Sequence, residues 1–245
     1  MLAVIGGSGL SRLVILDDVE RKTAHTPYGD PSSALTYGRI GGREVLFLAR
    51  HGDAHSIPPH QVNYRANIQA LKDAGATRIA SVATVGGIRR EFGPGTLVVP
   101  DQIIDYSWGR ASTFFEGQGA KVTHIDFTQP YSAALRKAIL AAAGACGETA
   151  ADGGCYGVTQ GPRLETAAEI ARMERDGADL VGMTAMPEAA LAREAGLEYA
   201  AIAVVANHAA GKGDSAHEVS LGAIEAVVAQ AMLRVRRILE KLAAA

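Results

Sequence analysis

The chain has 245 residues, a formal net charge of −2 and 20% charged residues. This length suits one α/β domain with a large core. The charge balance, without a long basic cluster, argues against a nucleic acid or a membrane surface as the main partner. The first residues lack the parts of a signal peptide and no apolar run is long enough to span a membrane, so we expect a soluble, cytoplasmic protein. Cys146 and Cys155 offer neither a disulfide framework nor a C-x-x-C metal site.

Strand patterns and helix patterns alternate along the whole chain, and neither a low-complexity linker nor an internal repeat marks a domain boundary. The predicted strands cover 3–5, 34–40, 45–49, 78–83, 96–99, 156–160, 180–182 and 199–206. The predicted helices cover 62–73, 133–143, 166–175, 187–194 and 219–242. We therefore predict a single α/β domain over 1–245, with a central mixed β-sheet flanked by helices.

Two of the predicted strands are continuous apolar runs, 45–48 and 202–205. Such runs are typical of central strands that helices cover on both faces. The last predicted helix repeats apolar residues at helical spacing, which predicts that one of its faces packs against the sheet.

The first predicted strand runs directly into Gly6-Gly7-Ser8-Gly9. Glycines let backbone N–H groups approach an anion closely, and the serine hydroxyl adds a rotatable donor. The segment matches neither G-x-G-x-x-G nor the P-loop pattern. By itself it fits an ordinary strand-to-turn connection as well as a phosphate loop.

Polar side chains also follow other predicted strands where each one ends. Arg50 follows 45–49, Thr84 follows 78–83 and Thr184 comes soon after 180–182. Ligands of α/β sheets bind at strand ends, so we expect these side chains to form one cleft with Ser8. Because arginine offers a planar, multidentate set of donors and a permanent charge, the group suits a phosphate dianion.

Five ordered motifs give the chain a specific resemblance. They are IGGSGL at 5–10, LARHG at 48–52, VNYRAN at 62–67, GPRLE at 161–165 and MTAMPE at 183–188. Together they resemble the trimeric purine nucleoside phosphorylase and methylthioadenosine phosphorylase family, over essentially the whole chain. The resemblance implies a homotrimer that cleaves a purine nucleoside with inorganic phosphate as co-substrate, without a metal or an organic cofactor.

Carried over position by position, the resemblance assigns most of the site. The phosphate-binding residues are Ser8, Arg50, His51, Ala83, Thr84 and Thr184. Ala83 would offer backbone groups alone, Gly182 and Met183 would lie by the ribose, and His55 is a candidate for the rim. His124 would reach a neighbouring subunit's site near the 5′ end of the sugar, although its surroundings in the sequence fit an ordinary surface histidine equally well.

The base pocket falls on Leu164, Glu165, Asn207 and Ala209. Adenine-specific relatives carry an aspartate in place of Asn207 and a second acid in place of Ala209. An amide can donate to a 6-oxygen and accept from a protonated N7, while Glu165 can accept from the N1–H that adenine lacks. We therefore expect a 6-oxopurine, with Asn207, Glu165 and Arg50 as the catalytic residues. Leu164 replaces the usual aromatic residue and forgoes base stacking.

Two classes of substrate differ at the 5′ end of the sugar, which carries either a methylthio group or a hydroxyl. Val219, Leu221 and Ile224 would form an apolar pocket for a methylthio group, whereas His217 would suit a 5′-hydroxyl. The apolar set is favoured because it keeps the final helix aligned with that of the methylthio enzymes. We therefore expect conversion of S-methyl-5′-thioinosine to hypoxanthine and 5-methylthioribose 1-phosphate. Three alternatives stay open: an inosine or guanosine phosphorylase, a methylthioadenosine phosphorylase, and a nucleoside-binding protein without activity.

Overall fold

Strands and helices alternate through the two stretches, 1–10 and 15–245, that the computed structural model describes. The strands are β1 (Leu2–Gly6), β2 (Asp17–Lys22), β3 (Leu35–Ile40), β4 (Arg43–Ala49), β5 (Arg78–Gly87), β6 (Leu97–Val99), β7 (Gln102–Asp105), β8 (Ala151–Asp152), β9 (Cys155–Val158), β10 (Leu180–Gly182) and β11 (Glu198–His208). The helices are α1 (Tyr64–Asp73), α2 (Ala133–Ala145), α3 (Ala167–Asp176), α4 (Ala185–Glu194) and α5 (Leu221–Ala244). Within these stretches, no helix is both long and apolar enough to cross a membrane.

All the strands belong to one branched sheet. Its main path runs β2-β3-β4-β1-β5-β10-β9-β7, and β11 pairs with β5 and leads on to β6 and β8. The pairs of β1 with β4, of β1 with β5 and of β5 with β11 are parallel, whereas β3 with β4 and β10 with β5 are antiparallel. The mixed sheet of a single α/β domain is thereby confirmed.

Helices cover the sheet on both faces. Residues of α2 and α5 pack with the buried side chains of β1, β4 and β11 in one core, and residues of α1 and α4 pack on the opposite face. The apolar runs 45–48 and 202–205 are fully buried, as predicted for central strands. The apolar face of α5 also packs inward, through Val228, Met232, Val235 and Leu239.

The branch at β5 opens the sheet. β1 pairs with the beginning of β5, from Arg78 to Ser81, whereas β10 pairs with Gly86 and Gly87 at its end. Over 82–85 this edge of β5 therefore faces neither β1 nor β10, while β11 follows the other edge along the whole strand. A gap between two strands exposes backbone at the centre of the fold, where a ligand can approach.

Three strands escaped prediction, and β5 was predicted four residues too short. β2 has the sequence DDVERK and is exposed throughout, so it lacks an apolar pattern. β7 has four residues and β8 two, too few for a periodic signal. β5 does not end at residue 83 but continues to Gly87, because β11 pairs with it up to that point. Thr84 thus lies within a strand rather than after one.

The ends of α4 and α5 matter for the site. Met186 has extended backbone angles, φ −117° and ψ 138°, so regular helical geometry in α4 begins at Pro187, as predicted. Proline is favoured at a first helical position because its missing N–H is not needed there. α5 begins at Leu221 after the capping side chain of Ser220. Val219, predicted as helical, lies in the preceding loop.

Candidate active site

One cleft of about 590 Å³ gathers every site residue predicted from the sequence except His124. It lies beside the gap along β5. The predicted residues that line it are Ser8, Arg50, His51, Ala83, Thr84, Leu164, Glu165, Gly182, Met183, Thr184, Asn207, Ala209, Val219 and Leu221, with His55 and Ile224 beside them. The cleft therefore unites segments that are up to 216 residues apart in the sequence, from Ser8 to Ile224.

The glycine loop after β1 packs directly against β5 and Arg50. A Cβ at Gly7 would lie 2.6 Å from the Val82 carbonyl oxygen and 3.0 Å from Arg50 Nη1, so only glycine fits there. The Arg50 backbone N–H donates to Gly6 O (3.0 Å). The Thr84 hydroxyl donates to Ser8 O (3.2 Å). These contacts fix the loop that presents Ser8 to the cleft.

Arg50 is fully buried and its guanidinium is nearly saturated by protein acceptors. Nε and Nη2 donate to the Glu188 carboxylate at 2.6 and 2.8 Å. Nη2 also donates to Ser81 Oγ (2.6 Å), and Nη1 donates to Val82 O (3.0 Å). A guanidinium has five N–H bonds, so within the described part of the chain one N–H, on Nη1, is left for a ligand. Because Arg50 lines the cleft, that N–H is the donor it can offer there.

Glu188 is a residue of the site that was not predicted from the sequence. Its buried carboxylate also accepts from Ser81 Oγ and Tyr199 OH, both at 2.8 Å. Burial by itself lowers the pKa of Arg50, but the adjacent carboxylate outweighs burial and holds that pKa above its ordinary value. Arg50 is therefore permanently charged, but its charge is balanced inside the protein rather than left free for a phosphate.

His51 is neutral near neutral pH. Burial, helped by the charge of Arg50, lowers the pKa of His51 to about 4. Nδ1 lies 2.8 Å from Ile57 O, and because a carbonyl oxygen can only accept, Nδ1 carries the proton. Nε2 is then an acceptor, and its natural partner is a protonated oxygen. The His55 ring lies beside that of His51, with centroids 4.7 Å apart, and His55 Nε2 is 3.4 Å from Ser8 Oγ.

Glu165 and Asn207 occupy a different part of the cleft lining. The Thr159 hydroxyl donates to Glu165 Oε1 (2.6 Å) and so fixes the carboxylate. Asn207 Nδ2 donates to His208 O at 2.5 Å. A primary amide has two N–H bonds and a carbonyl oxygen, so Asn207 keeps one donor and one acceptor for a ligand. Thr159 was not predicted, because its role depends on the fold.

A β-bulge places Asn207. Along β11, Val205 pairs with Val85, but the next pair is Asn207 with Gly86, so Ala206 is the extra residue. Because side chains alternate between the faces of a strand, an extra residue changes which side chain faces which way. Without the bulge, Ala206 would stand opposite Gly86, which also lines the cleft.

The apolar residues predicted for the 5′ end form one wall. Val219, Leu221 and Ile224 line the cleft around the start of α5. Leu221 is 67% exposed, so in a single chain this wall is open to solvent. His217 is exposed and does not line the cleft.

His124 is exposed and lies outside the cleft of its own chain. It belongs to the stretch 106–132, which contains no helix or strand and carries exposed Trp108 and Val122. Its expected role in a neighbouring subunit's site stays a prediction.

Comparison with known proteins gives a consistent family. The family model described as "Phosphorylase superfamily" matches residues 1–244. A protein of Xanthomonas campestris pv. campestris named probable S-methyl-5′-thioinosine phosphorylase is 60% identical over 91% of this chain and 89% of its own. The 6-oxopurine nucleoside phosphorylase of Pyrococcus furiosus is 46% identical over 86% of this chain and 80% of its own.

A solved structure agrees with these matches. Methylthioadenosine phosphorylase from Schistosoma mansoni, in complex with adenine, superposes with a TM-score of 0.95 at 32% identity, covering 99% of this chain and 90% of that one. The resemblance inferred from the five motifs is confirmed. The chain belongs to the phosphorylase superfamily and is a pentosyltransferase of the purine nucleoside phosphorylase type.

Proposed function

We propose that this enzyme cleaves S-methyl-5′-thioinosine with inorganic phosphate to hypoxanthine and 5-methylthioribose 1-phosphate. The observation that carries the proposal is the lining of one cleft, in which Glu165 and Asn207 suit a 6-oxopurine and an apolar wall suits a methylthio group. The name of the Xanthomonas relative supports the same substrate. Burying a thiomethyl group would contribute roughly 1–3 kcal/mol to binding.

In the proposed reaction, the phosphate is held by Ser8, Thr84, Thr184 and the remaining N–H of Arg50, and by backbone groups of Ala83. His51 Nε2 accepts from the phosphate hydroxyl. A phosphate oxygen forms a bond to C1′ as the bond from C1′ to N9 breaks, and the electron pair of that bond leaves with the purine. Asn207 stabilises the departing base by donating to O6 as negative charge builds on it, and its carbonyl oxygen accepts from N7 once that atom is protonated. Glu165 holds the base by accepting from N1–H. The proton of HPO₄²⁻ ends on the purine. No metal or organic cofactor takes part.

Inosine and guanosine are the second candidate substrates. The 6-oxopurine enzyme of Pyrococcus furiosus supports them, and the same base pocket would serve them. The exposed position of His217 outside the cleft favours the methylthio substrate. Methylthioadenosine is less suitable, because the Glu165 carboxylate would face the bare N1 of an adenine, and both groups can only accept.

The assembly and its setting belong to the same proposal. We expect a homotrimer in which His124 reaches the site of a neighbouring subunit, and a cytoplasmic role in purine salvage. The exposed Leu221 supports a site that is completed at a subunit interface.

Purine release from methylthioinosine, inosine, guanosine and methylthioadenosine, each with and without phosphate, tests the proposal. Strong, phosphate-dependent release from methylthioinosine is expected. Equal or better release from inosine would instead indicate a general 6-oxopurine nucleoside phosphorylase. Binding of nucleosides without any release in phosphate would refute catalysis and leave the nucleoside-binding alternative.

A further inference from the structure

Arg110 lies outside the cleft lining but is tied to the main chain that carries it. Nη1 donates to Met183 O (2.8 Å) and Met186 O (2.6 Å). Nη2 donates to Thr159 O (3.1 Å) and Gln160 O (2.9 Å), and Nε donates to the Gln160 side-chain oxygen (3.2 Å). Every nitrogen of this guanidinium therefore donates to one of two short segments of chain, and Nη1 has a further, longer contact with Tyr64 OH (3.4 Å).

These two segments leave neighbouring strands at the point where their pairing ends. β9 and β10 are parallel, and their last pair is Val158 with Gly182. Beyond it one segment continues to Thr159 and Gln160 and the other to Met183, where carbonyl groups no longer belong to the ladder. Buried carbonyl groups need donors. The Arg110 guanidinium donates to carbonyl groups of both segments and so links them just beyond the end of the paired strands.

Both segments carry the nucleoside half of the cleft. Met183 lines it directly, and Thr159 holds the Glu165 carboxylate through its hydroxyl. Most of the phosphate half is fixed by separate contacts, since the Ser8 loop is held by Thr84 and Arg50 is held by Glu188. Thr184 is the phosphate residue that lies on a segment held by Arg110, between Met183 and Met186.

We propose that Arg110 is a positioning residue for the nucleoside, acting through Met183 and through the Thr159 to Glu165 contact; the inference rests on the proposed function. Arginine is required because its planar fork reaches several acceptors in fixed directions, whereas a lysine ammonium offers three N–H bonds from one point. The guanidinium also lies over the Tyr64 ring, 5.6 Å from its centroid, which keeps it in place.

Kinetics of the intact enzyme test this role with Arg110→Lys and Arg110→Met. The matched control is Arg65→Met. It removes the ion pair between Arg65 of α1 and Glu116, which lies on 106–132 as Arg110 does, and it changes no contact to either segment. We expect the KM for methylthioinosine and the Kd of hypoxanthine, measured by calorimetry, to rise at least tenfold in both Arg110 variants. The KM for phosphate should rise by a smaller factor, because only Thr184 among the phosphate residues lies on a segment that Arg110 holds, and Arg65→Met should alter none of these values.

An equal rise of both KM values would overturn the proposal in favour of a general structural role, and so would unchanged KM values or restoration by lysine. Hydrogen exchange gives a readout without activity: amides of 159–165 and 183–186 should exchange faster in the Arg110 variants than in wild type, while those of 6–10 should not. If wild type cleaves no nucleoside, the proposed function fails, and unchanged exchange would separately refute the role of Arg110.

Discussion

Arg50 and Glu188 form a two-point ion pair in which neither side chain is exposed to solvent, with Nε to Oε2 at 2.6 Å and Nη2 to Oε1 at 2.8 Å. It joins the residue that follows β4 to the first part of α4, across 138 residues of sequence. Removing one partner of such a pair leaves an uncompensated buried charge, which typically costs about 3–5 kcal/mol.

We expect Arg50→Met to lower the free energy of unfolding by about that amount, 3–5 kcal/mol. The double variant Arg50→Met/Glu188→Gln should be more stable than Arg50→Met, because the stranded carboxylate is gone. Urea unfolding in phosphate-free buffer measures both, and strictly additive effects would contradict the coupling. Loss of activity in Arg50→Met is therefore no evidence by itself for a contact with phosphate.

The phosphate half is better tested through Thr184. Its side chain is buried and lines the cleft, yet makes no capping hydrogen bond to α4. Thr184→Ser keeps the hydroxyl and is the matched control for Thr184→Val, which replaces it with a methyl group. Because hydrogen bonds to charged groups contribute about 1.5–3 kcal/mol, the valine variant should raise the KM for phosphate at least tenfold. A rise in the nucleoside KM alone would place Thr184 elsewhere in the site.

The strand ends and the family motifs were sufficient to predict where most of the cleft would lie. Arg50 and Thr184 follow short apolar strands, and that pattern is local in the sequence. The carboxylate of Glu188 is different, because nothing near it in the sequence indicates that Arg50, Ser81 and Tyr199 converge on it. Such a partnership depends on the packing of α4 against the sheet.

The bulge at Ala206 could not be predicted from the sequence either. The run 202–206 is apolar without interruption, so its sequence gives no sign of where the alternation of faces shifts. The role of Asn207 was predicted from the family resemblance, and the bulge supplies the physical reason why its side chain belongs to the cleft. Arg110 went unnoticed for a related reason, because its acceptors come together only when β9 and β10 pair. The contact of Thr159 with Glu165 depends instead on how the loop between these two residues folds.

Asn207 tests the base pocket. In Asn207→Asp the carboxylate cannot donate to His208 O, which now lies 2.5 Å from Nδ2, nor donate to a purine O6. We expect the ratio of kcat/KM for methylthioinosine to that for methylthioadenosine to fall at least tenfold, since unpaired buried polar groups discriminate strongly.

Asn207→Ala is the control for this shift in preference. It removes donor and acceptor together and should depress turnover of both nucleosides. A preference in Asn207→Asp that equals that of wild type would show that another residue reads position 6 of the purine.

Leu221 tests the apolar wall. Leu221→Ala should lower kcat/KM for methylthioinosine by about three- to tenfold, which corresponds to losing the burial of about one to two methylene groups at roughly 0.8 kcal/mol each. Turnover of inosine should change little. Leu233→Ala is the matched control, because Leu233 is an exposed leucine of the same helix that does not line the cleft. His217→Ala should affect neither substrate, and a selective loss of inosine turnover in that variant would assign the 5′ end to His217.

His51 makes stability depend on pH in a defined direction. Its pKa is about 4 in the folded protein and near the ordinary value of 6.5 in the unfolded chain. Between these values the unfolded chain binds the proton and the folded protein does not, so folding stability is full above about pH 6.5 and declines as the pH falls toward 4.

His51→Asn isolates this contribution, since an amide can still donate to Ile57 O but does not titrate. Between pH 7.5 and 4.5, wild type should lose about 2 kcal/mol more free energy of unfolding than the variant. Denaturant unfolding in phosphate-free buffer measures the difference. Parallel losses in the two proteins would mean that His51 is protonated as readily in the folded state as in a free chain. Below about pH 6.5, Nε2 would then donate to phosphate rather than accept from its hydroxyl.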